Sequence, residues 1–140
     1  MSWDIPRRHG EPQTPSPRAR REKRPYEKPV IVSYSNEAKE RILGVAHEIL
    51  VQHGAVSKET ALAMATGARR LLGTDIAISV TGIAGPTGGT PDKPVGLVYI
   101  GLAAEGAELC QRRIWDGDRP HNKQRSAQAA LELLLGYLED

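Results

Sequence analysis

The 140-residue chain has no phenylalanine, two tryptophans and a single cysteine, Cys110. Without Phe, and with aromatics at only 4% of residues, its core must be built from aliphatic and alanine side chains. One cysteine excludes an intramolecular disulfide. No apolar run approaches the roughly 18 residues that a membrane-spanning helix needs. The N-terminus has no continuous apolar stretch between its charges, so a signal peptide is not expected and the chain reads as cytoplasmic. No Cys or carboxylate stands at metal-ligand spacing from His47 and His53, so no metal site is expected either.

Charge and proline are unevenly spread. Residues 1–30 hold eight of the 19 Lys and Arg but four of the 17 Asp and Glu, together with six of the ten prolines. Proline at that density prevents a helix or central strand, and too few apolar side chains remain to offset the entropy of ordering the segment. Residues 1–29 are therefore expected to be a disordered basic tail, and residues 30–140 a single domain. The run Arg18-Ala-Arg-Arg-Glu-Lys-Arg24 could displace counterions from nucleic-acid phosphates. It has no aromatic stacking residue inside it, which favours a solvated charge run over a nucleic-acid arm.

From Val30 onward, strand and helix patterns alternate. Val30–Ser33 reads as a short strand, and Ser35 opens a helical stretch to Leu43. Ala46–Gln52 is a second helical piece, stopped at His53-Gly54. Ser57 caps a third, whose Ala61, Met64, Ala65, Ala68, Leu71 and Leu72 recur at helical spacing before Gly73. Strands are expected at 76–80, 95–102 and 109–115, with Cys110 a small core residue and Trp115 capping the core. A last helix from about Pro120 would bury Ala127, Leu131, Leu134, Leu135 and Leu138. The pattern predicts a layered α/β/α domain with a mixed sheet.

Between the first two of those strands lies Thr81-Gly-Ile-Ala-Gly-Pro-Thr-Gly-Gly-Thr-Pro-Asp-Lys-Pro-Val-Gly96. A glycine-rich loop between buried strands lets backbone N–H groups approach a small ligand. It is not a nucleotide P-loop of the Gly-Lys-Ser/Thr type. Thr81 either satisfies a turn or presents its hydroxyl, with the N–H groups of Gly82 to Gly85, to a reacting oxygen or phosphate. Lys39, in the first turns of a helix, would become a general base if desolvation lowered its pKa. Arg119 offers a guanidinium fork to phosphate or carboxylate. Arg125 is read as an ion-pair partner or a second ligand, and Tyr34 as a strand-end aromatic.

Three segments together, Tyr34-Ser-Asn-Glu-Ala-Lys39, Gly82-Ile-Ala-Gly-Pro86 with Lys93-Pro-Val-Gly96, and Gly117-Asp-Arg119, resemble the C-terminal domain of the CinA family, the nicotinamide-nucleotide amidohydrolases. The resemblance covers roughly residues 30–138. It implies hydrolysis of the carboxamide of nicotinamide mononucleotide, without a cofactor. Lys39 would activate a serine, with Tyr34 and Thr81 in the active site, and Gly82, Ile83, Ala84, Gly85 and Arg119 would bind a pyridine nucleotide. A homo-oligomer is expected, with no membrane partner. The family's nucleophile lies in a Glu-Ser-Cys-Thr-Gly-Gly segment, which occurs nowhere in these 140 residues. Impaired catalysis follows as an expectation, with a non-catalytic nucleotide-binding module as the alternative and nucleic-acid binding by the tail as a third reading. The abrupt change near Val30 also fits an upstream segment read out of frame, in place of the family's first strand and helix.

Overall fold

Alternation of side chains along the strands decides which helix covers which face of the sheet. A computed structural model of the chain describes residues 31–32 and 35–139. Strands β1 (Ile76–Gly82), β2 (Leu97–Ala104) and β3 (Ala107–Ile114) form a sheet in the order β1-β2-β3, paired antiparallel throughout. In register, Ile76, Ile78 and Val80 oppose Ala104, Leu102 and Ile100, so these residues share one face. Ala77, Ser79 and Thr81 oppose Ala103, Gly101 and Tyr99 on the other. β2 is central and buried along almost its whole length, whereas β3, at an edge, is largely exposed.

Helices α1 (Asn36–Leu43), α2 (His47–His53) and α3 (Lys58–Leu72) precede the sheet, and α4 (Arg119–Glu139) follows it. Ser35 and Ser57 cap α1 and α3 by accepting the N–H groups of Ala38 and Thr60, and Gly44 and Gly73 end those helices in the left-handed region. α3 lies on the Ser79 face, where the Ser79 hydroxyl donates to the Ala61 carbonyl. Gly101 permits that approach, because a Cβ there would stand 2.7 Å from the Ala61 carbonyl oxygen. α4 covers the opposite face, where Ala129 and Leu133 join Val98, Ile100, Leu102 and Ala104 in one core. A second apolar cluster, Leu43, Val45, Leu50 and Met64, packs α1 and α2 onto the outer side of α3.

The α/β class and its layering stand. The sheet differs from the mixed one expected, since no parallel pair occurs among the described residues. Its connections explain this: the β2–β3 link is a two-residue hairpin, Glu105-Gly106, and the 83–96 loop holds no helix to carry a parallel crossover. Of the strand expected at Val30–Ser33, Ile31 and Val32 carry no strand pairing, and the other two residues lie outside the described range, as do residues 1–29. Leu71, expected in the core, is exposed.

The buried stripe of α4 also differs. Leu131, Leu135 and Leu138 are 60%, 56% and 59% exposed, and Ala127 is exposed too. The helix instead buries Asn122, Ser126, Ala129 and Leu133. That polar choice is satisfied by hydrogen bonds that hydrophobic periodicity cannot register.

Candidate functional site

The β1–β2 loop begins where β1 ends, and its backbone is held from three directions. Ile83 donates its N–H to the Leu97 carbonyl at 2.9 Å and accepts the Gly96 N–H at 2.6 Å, so its amide is committed within the loop. Gly96 has φ +95° and takes part in a pairing with Trp115, whose N–H donates to the Gly96 carbonyl at 2.8 Å. A Cβ at Gly96 would stand 1.8 Å from the Trp115 carbonyl oxygen, so only glycine fits.

The third tie comes from the start of α4. Arg119 Nη1 donates to the Gly85 carbonyl at 3.1 Å, and Asn122 Nδ2 donates to the Ala84 carbonyl at 3.1 Å. Asn122, only 1% exposed, also accepts the Gly117 N–H on Oδ1 at 3.0 Å. One side chain thus joins the glycine loop to the Gly117-Asp-Arg119 segment. Ser126 extends the network, donating to the Asn122 carbonyl at 2.8 Å and accepting the indole N–H of Trp115 at 2.9 Å. Asp118 caps α4 by accepting the His121 N–H at 2.9 Å.

Sequence reasoning selected Arg119 but passed over Asn122. Its signal was the helical spacing of Asn122, Ser126, Ala129 and Leu133, a stripe turning from polar to apolar just after Trp115 and Gly117. Arg125 lies 3.8 Å from Asp116 and stacks over the Trp115 ring at 5.9 Å, which gives it the ion-pairing role.

Thr81 is buried at the end of β1, and its hydroxyl donates at 2.7 Å to the Ala55 carbonyl in the α2–α3 connection. The Lys93 ammonium donates to the His53 carbonyl of the same connection. Segment 53–57 is therefore moored to the sheet by Thr81 and to the glycine loop by Lys93. Lys39 lies on α1 and is 6% exposed. Burial pulls its pKa below the usual lysine range, the direction a proton acceptor requires. The tie between Gly85 and Arg119 does not include Lys39, and Tyr34 lies outside the described residues.

His47 sits 3.2 Å from Glu40, and His53 lies 3.6 Å from Glu59. Among the described residues, no group of three or more His, Cys, Asp or Glu could hold a metal ion, and no helix is long and apolar enough to cross a membrane. Cys110 is not the enclosed core residue expected. It is half-buried beside an open cleft, because β3 is an edge strand that α3 covers only in part.

The arrangement defines a three-layer α/β domain whose glycine-rich loop is clamped at one end of the sheet by the N-terminus of its last helix. The family model of the CinA C-terminal domain matches residues 26–138, and the chain belongs to that family. It is 53% identical over 104 residues to a CinA-like protein of Kosmotoga olearia, covering 74% of this chain and 25% of that protein. A CinA-like protein of Citrifermentans bemidjiense is 51% identical over 107 residues, with 76% and 26% covered. The chain thus spans about a quarter of the length of these curated relatives. Among solved structures, the competence/damage inducible protein CihA from Agrobacterium tumefaciens superposes with a TM-score of 0.72 at 43% identity, covering 75% of this chain and 65% of that one. The competence damage-inducible protein A from Klebsiella pneumoniae gives a TM-score of 0.74 at 36% identity, with 77% and 67% covered.

Proposed function

We propose that this domain recognises a pyridine mononucleotide, in the manner of a nicotinamide-nucleotide amidohydrolase, and that these 140 residues alone bind it without turning it over. The observation that carries the reading is the convergence of the glycine loop and the Gly117-Asp-Arg119 segment, joined through Arg119 and Asn122 at the end of β1 where Thr81 lies. Gly82 to Gly85 and Arg119 contact the substrate in this reading. Only one Arg119 nitrogen is engaged by the Gly85 carbonyl in that bond, so the guanidinium keeps further N–H donors for an anion. Lys39, whose pKa burial lowers, takes the proton of an attacking hydroxyl in this reading, with Tyr34 and Thr81 as the further active-site residues that the resemblance implies. The hydroxyl itself has no source in a Glu-Ser-Cys-Thr-Gly-Gly segment here. Loss of a hydrolase nucleophile lowers turnover by about a millionfold.

Calorimetry with nicotinamide mononucleotide tests the binding half: Arg119→Ala is expected to weaken affinity about tenfold or more, as loss of a charge-assisted contact does. Equal affinities for the two proteins would remove Arg119 from the site. An ammonia-release assay tests the catalytic half. Wild type and Lys39→Ala are expected to give the same background rate, and a faster wild type would show that another side chain serves as nucleophile.

A further inference from the structure

The row Thr81, Tyr99 and Arg112 runs straight across the sheet, one residue from each strand, on the face that α3 covers. One row away, Ser79, Gly101 and Cys110 lie where α3 makes its closest approach. α3 begins at Lys58, so the Tyr99–Arg112 end of the row is left uncovered beyond the helix start. A cleft of about 580 Å³ opens there. Tyr99, Cys110 and Arg112 form its floor, the 52–59 segment its roof, and Lys93 reaches in from the glycine loop.

The charges facing this space are unbalanced. Among the described residues lining it, Lys58, Lys93 and Arg112 supply three cations, against the single carboxylate of Glu59, which pairs with His53 at 3.6 Å. The Lys93 ammonium uses one of its three protons on the His53 carbonyl, and that bond fixes its position at the wall. Lys58 and Arg112 are solvent-exposed and so can swing onto a ligand without breaking any packing. We propose that this cleft binds a phosphate group, either free phosphate or the phosphate of a small nucleotide, held by Lys58, Lys93 and Arg112 against the Tyr99 ring. The site is distinct from the Arg119 end of the glycine loop and stands on the cleft alone, so it does not depend on the function proposed above.

The test uses the full chain with three probes, inorganic phosphate, nicotinamide mononucleotide and nicotinamide riboside, titrated at low ionic strength. Arg112→Gln and Lys58→Gln are each expected to weaken binding of the phosphate-bearing probes about tenfold, with melting temperatures unchanged. Saturating phosphate should slow alkylation of Cys110 by iodoacetamide, a reading unique to this site because the chain has no other cysteine. Inorganic phosphate binding as tightly as the mononucleotide identifies free phosphate as the ligand. A mononucleotide that binds more tightly than either phosphate or the riboside identifies a nucleotide phosphate. If no phosphate-bearing probe binds, or if Cys110 alkylates at the same rate when saturated, the inference is overturned. Binding of both the mononucleotide and inorganic phosphate that Arg112→Gln leaves alone also overturns it, and if Arg119→Ala weakens the mononucleotide binding the proposed function is spared. The converse result, phosphate binding sensitive to Arg112→Gln with no mononucleotide recognition, upholds the cleft and defeats that function.

Discussion

Asn122 and Lys39 show how much a single buried polar residue can decide. Truncating Asn122 to Ala would strip partners from the Ala84 carbonyl and the Gly117 N–H at once. Leaving buried groups unpaired costs about 1–3 kcal/mol, so urea unfolding of Asn122→Ala should show a lower midpoint at unchanged slope. Asn122→Asp keeps the acceptor for Gly117 but loses the donor to Ala84, and should open the loop amides of 84–89 to faster hydrogen exchange. For Lys39 the sign follows from its lowered pKa. Between that folded value and the ordinary 10.5, the unfolded chain holds a proton that the folded protein has released. Stability from this residue therefore rises with pH across that window, and below the folded pKa the buried charge is a standing cost. Melting curves of wild type against Lys39→Met should diverge in favour of wild type as pH climbs toward 10.5. A constant difference would mark Lys39 as an ordinary solvated lysine.

Among the elements, the contrast between two glycines separates packing from propensity. Gly101→Ala drives a methyl toward the Ala61 carbonyl and the Ser79 hydroxyl, at 2.7 and 2.8 Å. Both are anchored, so α3 must lift from the sheet, at a cost of about 1–3 kcal/mol. Gly136 lies on the exposed side of α4 with nothing within 4 Å of a Cβ. Gly136→Ala should stabilise the protein by about 0.5–1 kcal/mol, since alanine is the better helix former. Thermal denaturation of the two variants is expected to move in opposite directions. The same helix supplies a second contrast: Leu133→Ala, at a core position, should cost about 2–5 kcal/mol. Leu131→Gln and Leu135→Gln, on the exposed side, should change stability by no more than about 0.5 kcal/mol.

Across the whole molecule, α3 is the shared wall. Its Met64 belongs to the cluster with α1 and α2, while its Ala61 meets the sheet that α4 covers from behind. Loss of the first cluster exposes the outer side of this helix, and loss of the α4 core exposes the back of the sheet on which its inner side rests. Urea unfolding followed by far-UV circular dichroism and by tryptophan fluorescence is therefore expected to give coincident transitions. In a Trp3→Tyr background Trp115 makes fluorescence a report on the sheet and α4, whereas circular dichroism weighs the four described helices together. An earlier circular-dichroism transition would show that α1 and α2 detach on their own.

Much of this architecture is local and so could be read from the chain directly. Ser35, Ser57, Gly44 and Gly73 bound their helices through bonds to neighbours within a few residues, and the alternation of β1 and the near-continuous apolar run of β2 need no distant partner to be visible. The glycine loop, Lys39 and Arg119 were likewise legible, as residue types in motifs that resemble one family. Tertiary structure alone decided which face of α4 turns inward, because Asn122 and Ser126 become good buried residues only where Ala84, Gly117 and Trp115 meet them. It also decided that Cys110 lines an open cleft and that Tyr99 and Arg112 stand in one row, since strand register and the starting point of α3 set those neighbours. Periodicity measures hydrophobicity along one segment, whereas a polar partner or a cleft exists only between segments that folding has brought together.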